Sequence, residues 1–348
     1  MFKLKLSILD QSPILQGTTA SQALLKTIEL AKEADKLGFS RFWVSEHHDA
    51  PGLAGSSPEV LISAIAAHTQ SIRIGSGGVM LPHYSPYKVA ENFRVLEGLY
   101  PNRIDLGMGR APGGMPLATR ALRYGRLPNP GDPFPEMLRE AAAFLSNGLI
   151  TTEDRPFGSL TATPVVETVP QMWLLGSSNY SGRRAAELGA GFAFAHFING
   201  EEGRDVVGRY YANYCPGPLG TESKAIVCVI AVYADTEEEA ERQAKCIDLR
   251  LLRFENGDFH SEFPTPEEAE RYPYSEIEQN RVRYNRSRMI VGGQDRMGER
   301  LLTFAESYGV DELMLLVMAQ DYDIRFNAYQ RLAQYMTDKG TNHLEKIT

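Results

Sequence analysis

Five consecutive polar residues, Ser45-Glu46-His47-His48-Asp49, follow directly on the apolar run Phe42-Trp43-Val44. Imidazole exchanges its proton near neutral pH, so two histidines flanked by acids could act as a general acid or base. The same pair would also serve to cap a strand or the following helix, and nothing local says which ring does the work. A metal site using both is not expected, because no third and fourth ligand stand at recognisable spacing. Gly77-Gly78 interrupt another apolar run, where glycine marks an unusual backbone or the close approach of a ligand. Ser177 and Ser178 stand where a helix begins. As caps they would satisfy free amides; as an anion site, those amides and the helix dipole would hold a phosphate. Gly292-Gly293-Gln294-Asp295 precede another helix and form a rival, ranked second because the Asp295 carboxylate would repel an anion.

These residues need a frame to bring them together, and the pattern of the chain supplies one. Short apolar runs at Leu4–Leu9, Phe42–Val44, Ile72–Leu81, Arg103–Met108, Met172–Leu175, Gly191–Ala195, Ala225–Tyr233 and Leu313–Val317 read as strands. Between them lie stretches of helical spacing with start signals at Thr18-Thr19, Ser57-Pro58 and Ser85-Pro86, and a stop at Gly38. Further helices are expected at Pro135–Ser146, from Ser178 to Leu188, at Glu201–Tyr214, from Thr236, and from Asp321 to Met336.

Strict alternation implies a parallel sheet, and eight units favour an α/β (β/α)8 TIM barrel with insertions over an open doubly wound sheet. The open sheet would normally show a Gly-rich dinucleotide turn after its first strand; here that turn reads Asp10-Gln11-Ser12-Pro13. In a barrel, chemistry sits just past the carboxyl ends of the strands, which is where His47, Gly77-Gly78 and Ser177 fall. One domain over 1–348 is expected. The polar stretch Gly257–Arg288 reads as a lid or insertion, and Leu149–Val169 as a loop or hairpin excursion. His83 and His196 also follow strand ends and are candidates to line the pocket, while His68 lies on the helix after Ser57 and is expected to pack or face a partner.

Composition narrows the classes. Of 348 residues, 43% are hydrophobic, enough for a sizeable core, and 36 basic against 44 acidic side chains leave a net charge of −8. That disfavours a nucleic-acid partner, which requires a basic face. No apolar run approaches the roughly 18 residues of a membrane span, and MFKLKLSILD enters a strand pattern at once, unlike a signal peptide. Three cysteines without metal spacing fit a reduced, cytoplasmic protein.

Three stretches in order, Trp43-Val44-Ser45-Glu46-His47-His48, Ile72-Arg73-Ile74-Gly75-Ser76-Gly77-Gly78-Val79-Met80-Leu81-Pro82 and Arg103-Ile104-Asp105-Leu106-Gly107-Met108-Gly109-Arg110, make the chain resemble the bacterial luciferase-like flavin-dependent oxidoreductases. The resemblance spans nearly the whole chain and is weakest at 149–169 and 257–288. It implies a barrel binding FMN, or in one branch the deazaflavin F420, commonly as a homodimer. It places His47 at the family's active-site histidine. Gly77 and Gly78 match a point where the family often has a non-proline cis peptide beneath the flavin ring, a plain bulge being the competing reading. Arg110 corresponds to the family's flavin-contacting arginine, whose forked donors suit a phosphate, and Ser177, with Ser178 and Tyr180 nearby, to its phosphate contact.

Two departures stand out. Luciferase proper carries a reactive cysteine where this chain has Gly109, which argues against light emission from long-chain aldehydes but not against flavin binding. Tyr180 replaces luciferase's threonine, so that phosphate contact would differ. The implied activity is a monooxygenase using O2 on a small organic substrate, with reduced FMN supplied in trans by a separate flavin reductase. The alternatives are F420-dependent hydride transfer and a non-catalytic flavin-binding barrel subunit.

Overall fold

The computed structural model describes residues 4–124, 131–146, 159–258 and 261–337. In chain order its elements are β1 (Lys5–Asp10), α1 (Ala20–Leu37), β2 (Arg41–Val44), α2 (Pro58–Ala67), β3 (Arg73–Ser76), β4 (Val79–Met80), α3 (Pro86–Leu99), β5 (Ile104–Gly109), α4 (Pro116–Leu122) and α5 (Phe134–Leu145). Then come β6 (Gln171–Gly176), α6 (Asn179–Leu188), β7 (Gly191–Ala195), α7 (Gly203–Ala212), β8 (Ala225–Ala234), α8 (Glu237–Glu255), α9 (Pro266–Arg271), α10 (Glu276–Arg286), β9 (Met289–Gly293), α11 (Gln294–Tyr308), β10 (Glu312–Leu316) and α12 (Tyr322–Thr337).

All pairings between these strands are parallel, in the order β10-β1-β2-β3-β5-β6-β7-β8, and a β8–β10 pairing closes the ring. This is an eight-stranded (β/α)8 barrel, formed by the eight strands expected from the sequence. Two strands are additional. The Gly77-Gly78 break splits the third run into β3 and a short β4 that pairs with β5, and β9 adds to the far half of β8, from Ile230 to Ala234. That explains why β8 is ten residues long and buried throughout.

Local signals set the helix ends. Thr19 and Gln22 form a reciprocal capping box at α1, and Gly38 stops it in a left-handed conformation at φ 83°. Proline occupies the first turn of α2 and α3, as the Ser-Pro pairs indicate, although neither Ser57 nor Ser85 makes a side-chain capping bond.

Inside the ring, Leu9, Trp43, Trp173, Ala193, Ile226, Cys228 and Met314 form the barrel core, with the two indoles edge to face at 5.5 Å. Its amino-terminal end is plugged by a buried ion network. Arg41 donates to Asp105 (2.6 Å) and Glu312 (2.9 Å), Arg73 donates to the other Asp105 oxygen, and Trp43 Nε1 donates to Asp105 as well (2.9 Å). Charge at this face reads as stability rather than catalysis.

The polar stretch 257–288 has more regular structure than its sequence shows. Where described, it holds two short helices, α9 started by Thr265 and α10 by a Ser275–Glu278 capping box. Both are held by charge more than by an apolar stripe: Arg242 pairs with Glu267 and Glu270, and Arg286 with Asp248 and Glu241. A periodicity search misses helices stabilised this way. α4 is a further helix, outside those expected from the sequence. The excursion expected at 149–169 lies mostly outside the described residues. Among the described residues no helix is long and apolar enough to cross a membrane.

Candidate active site

The tip of β2 is organised by Glu46, whose side chain is buried. Its Oε1 accepts from His48 Nε2 (2.7 Å) and from the Tyr84 hydroxyl (2.9 Å), while Oε2 accepts from the Met80 amide (3.0 Å). One carboxylate therefore ties the β2 tip to β4 and fixes the His48 ring. The His48 amide in turn donates to Gly113 O (2.8 Å), which draws in the loop after β5.

His47 is held differently. Its Nδ1 lies 3.0 Å from Ser45 Oγ, and Nε2 has no protein partner among the described residues. Burial, reinforced by neighbouring His48, pushes its pKa down to about 4, so the ring is neutral at pH 7 and offers a lone pair. Each ring has one nitrogen partnered within the fold, His48 Nε2 by a buried carboxylate and His47 Nδ1 by the Ser45 hydroxyl.

The Gly77–Gly78 peptide is cis, as the resemblance implies. A Cβ at Gly77 would lie 2.7 Å from Leu9 Cδ1, and one at Gly78 would lie 2.7 Å from Gly107 O. Neither position has room for a side chain, so bare backbone lies between the core and whatever sits above it.

Arg110 and Tyr180 meet, with Ser177 and Ser178 immediately before Tyr180's helix. The Arg110 guanidinium lies 4.4 Å over the Tyr180 ring, a cation–π contact that joins the loop after β5 to the first turn of α6. Ser178 precedes α6 but makes no side-chain cap, so the helix start is left open. Asn199 Nδ2 donates to Ser177 O (3.1 Å) and steadies that turn. Asp132, unforeseen from sequence, joins them: its Oδ2 accepts from the Tyr180 hydroxyl (2.7 Å) and lies 3.4 Å from Arg110 Nη1.

The rival anion site before α11 is filled. Glu237 Oε1 accepts from the Gly293 amide (2.9 Å) and Oε2 from Arg300 (2.9 Å), so a carboxylate of the protein already sits at that helix start. Its second rank therefore stands for a different reason: Glu237 occupies it, rather than Asp295 repelling.

His196 is corrected from pocket lining to packing. Nε2 donates to Ser287 O (2.8 Å), which leaves Nδ1 to accept from the Tyr308 hydroxyl (2.7 Å), so both nitrogens are used within the fold. His83 is also buried and donates through Nε2 to Pro112 O (2.6 Å), but it does line a cavity of about 270 Å³ with Glu59, Tyr84 and Lys88. His68 ends α2 and bonds back to Ala64 O; His260 lies outside the described residues. No group of three or more His, Cys, Asp or Glu among the described residues is arranged to hold a metal ion.

Sequence reasoning missed Glu46 and Tyr84 as organisers, and also the buried pair at the tip of β1, where Arg325 from α12 meets Asp10 at 3.2 Å. Adjacency to His47 was the one available signal for Glu46. Asp132 and Arg325 had none, since their partners are distant in sequence.

Known proteins fit this picture. The uncharacterized protein YwcH of Bacillus subtilis is 49% identical over 96% of this chain and 99% of its own length. The N-acetyl-S-alkylcysteine monooxygenase of the same organism is 36% identical over 95% of this chain and 97% of its own. The crystal structure of apo-MsnO8 superposes with a TM-score of 0.85 at 37% identity, covering 95% of this chain and 98% of that one. The sequence model for luciferase-like monooxygenases matches residues 4–312. With the barrel, the cis Gly77–Gly78 and the strand-tip histidine in place, the chain belongs to the luciferase-like monooxygenase family.

Proposed function

We propose that this protein is the oxygenating component of a two-component flavin monooxygenase, taking reduced FMN from a separate reductase and oxidising a small organic substrate with O2. The observation that carries the reading is the meeting of Arg110 with an uncapped α6 start, on strand tips adjacent to the cis Gly77–Gly78 and His47. Bound reduced flavin would supply the electrons for oxygen activation.

The chain's own residues do the rest. Arg110, Ser177, Ser178 and the first α6 amides hold the phosphate, with Tyr180 backing the guanidinium. Gly77 and Gly78 let a planar ring lie against backbone. His47, neutral at pH 7, takes or relays a proton at Nε2. Glu46 holds His48 and β4 in register beneath it. The separate reductase is supported by the turn after β1, which lacks a dinucleotide fingerprint. The monooxygenase chemistry is supported by a relative of that name over nearly the full length.

The segment carrying α9 and α10 serves as a cover for the mouth: Glu262 accepts from Gln16, in the loop after β1, at 2.6 Å. A homodimer through α2 and α3 is supported by Val60, Val95 and Leu99, exposed at 68%, 47% and 59%. Leu99→Asp is expected to shift the solution mass to that of a monomer, and a wild-type monomer would remove the dimer.

The deciding experiment is an anaerobic titration with oxidised and reduced FMN and with F420, followed by oxygen uptake with reduced FMN and candidate substrates. FMN binding with substrate-dependent oxygen uptake is the expected result. Tight F420 binding without oxygen uptake would replace the proposal with hydride transfer, and flavin binding without turnover would leave a non-catalytic subunit.

A further inference from the structure

We infer that Asp132 is a built-in competitor for the flavin phosphate, a carboxylate that holds Arg110 and Tyr180 when the ligand is away and hastens its departure. The inference rests on the reading that Arg110 and the start of α6 anchor that phosphate. Its geometry is direct. One oxygen of Asp132 takes the Tyr180 hydroxyl at 2.7 Å and faces Arg110 Nη1 at 3.4 Å. The other oxygen accepts from the Phe134 amide at 3.1 Å, fixing the carboxylate at the start of α5.

The Tyr180 hydroxyl, ahead of its other neighbours, holds this carboxyl below its usual range, so it is charged at neutral pH. The pairing is made to be broken. The side chains of Arg110 and Asp132 are 51% and 43% exposed, and an ion pair so open to water is weak. A phosphate monoester carries nearly two charges and engages an arginine fork more strongly than one carboxylate oxygen at 3.4 Å. The ligand therefore wins the site but must displace Asp132 and then sit beside it. When the ligand leaves, Asp132 re-forms its bonds. For a protein that exchanges its flavin every turnover, this favours release over retention.

Asp132→Asn tests the idea, because the amide oxygen still accepts from the Phe134 amide while the charge is gone. The variant, Arg110→Ala and the double variant would be titrated with FMN and with riboflavin, which has no phosphate, and FMN dissociation timed by stopped flow. We expect Asp132→Asn to tighten FMN by about two- to fivefold, the range set by the loss of one exposed pair. Dissociation should slow in proportion, riboflavin should be unaffected, and the gain should vanish when Arg110 is absent. If Asp132→Asn leaves FMN affinity unchanged or weakens it while Arg110→Ala still weakens FMN, the competitor role is wrong and the phosphate anchor survives. If Arg110→Ala leaves FMN affinity untouched, the anchor itself is wrong and this inference goes with it.

Discussion

Two helix starts in this barrel have much the same sequence credentials and opposite fates. Before α6 stand Gly176-Ser177-Ser178, and before α11 stand Val291-Gly292-Gly293. Both follow a strand and both point backbone amides toward the carboxyl face, the arrangement that attracts anions. At α11 the place is taken: Glu237 reaches across from α8 to the Gly293 amide, and a Cβ at Gly293 would lie 2.6 Å from the Glu237 amide nitrogen. At α6, among the described residues, no side chain caps the helix, and the cation beside it, Arg110, meets an aromatic face and one exposed carboxylate. A helix start becomes a structural joint when the protein supplies its own anion, as Glu237 does at α11.

The contrast can be broken in four places. If the open start seats a flavin whose ring lies toward β2, His47 stands next to the reaction. His47→Gln should then lower turnover by about 10²- to 10⁴-fold with little change in FMN affinity, measured by substrate-dependent oxygen uptake and by titration. Equal turnover in the variant would put the chemistry elsewhere.

The acid limb of activity comes next. Burial has carried His47 from an ordinary 6.5 down to about 4, roughly a hundredfold or more in proton concentration. A folded pKa below the unfolded one means the neutral ring persists as pH falls through 6.5, and the unfolded chain takes up the proton first. Activity that needs neutral His47 should hold to near pH 4, while stability declines between 6.5 and 4; an acid limb at 6.5 that vanishes in His47→Gln would contradict this.

Arg110→Ala should weaken FMN by about ten- to a hundredfold, the scale of charge-assisted hydrogen bonds, and leave riboflavin unchanged. Glu237→Ala should do the reverse. It vacates the α11 start, costing about 0.5–2 kcal/mol of stability as a lost cap does, with FMN binding as in the wild type. A change in FMN affinity there would show that the wrong helix has been chosen.

Much of the fold was legible along the chain. Ser57-Pro58, Ser85-Pro86, Thr19 with Gln22, and Gly38 are local instructions, read by the few residues around them. The strand runs repeat often enough to count eight units. α9 and α10 were not legible, because their stability comes from caps and from ion pairs with α8, which leave no periodic mark. Of the candidate site, Arg110 and Tyr180 were named separately and the fold stacked them; His47 follows the end of β2, and Gly77 and Gly78 the end of β3.

What the sequence alone determined is the alternation of strand and helix, and therefore which residues stand at strand tips, because backbone propensity and capping act over a handful of neighbours. Only the tertiary structure decided which tip residues are free to act. His196 was spent on Tyr308 and Ser287 and Gly293 on Glu237, whereas among the described residues His47 Nε2 and the start of α6 were left open. A polar group's availability depends on whether a partner from a distant part of the chain arrives within hydrogen-bond reach, and ring closure sets that, not spacing.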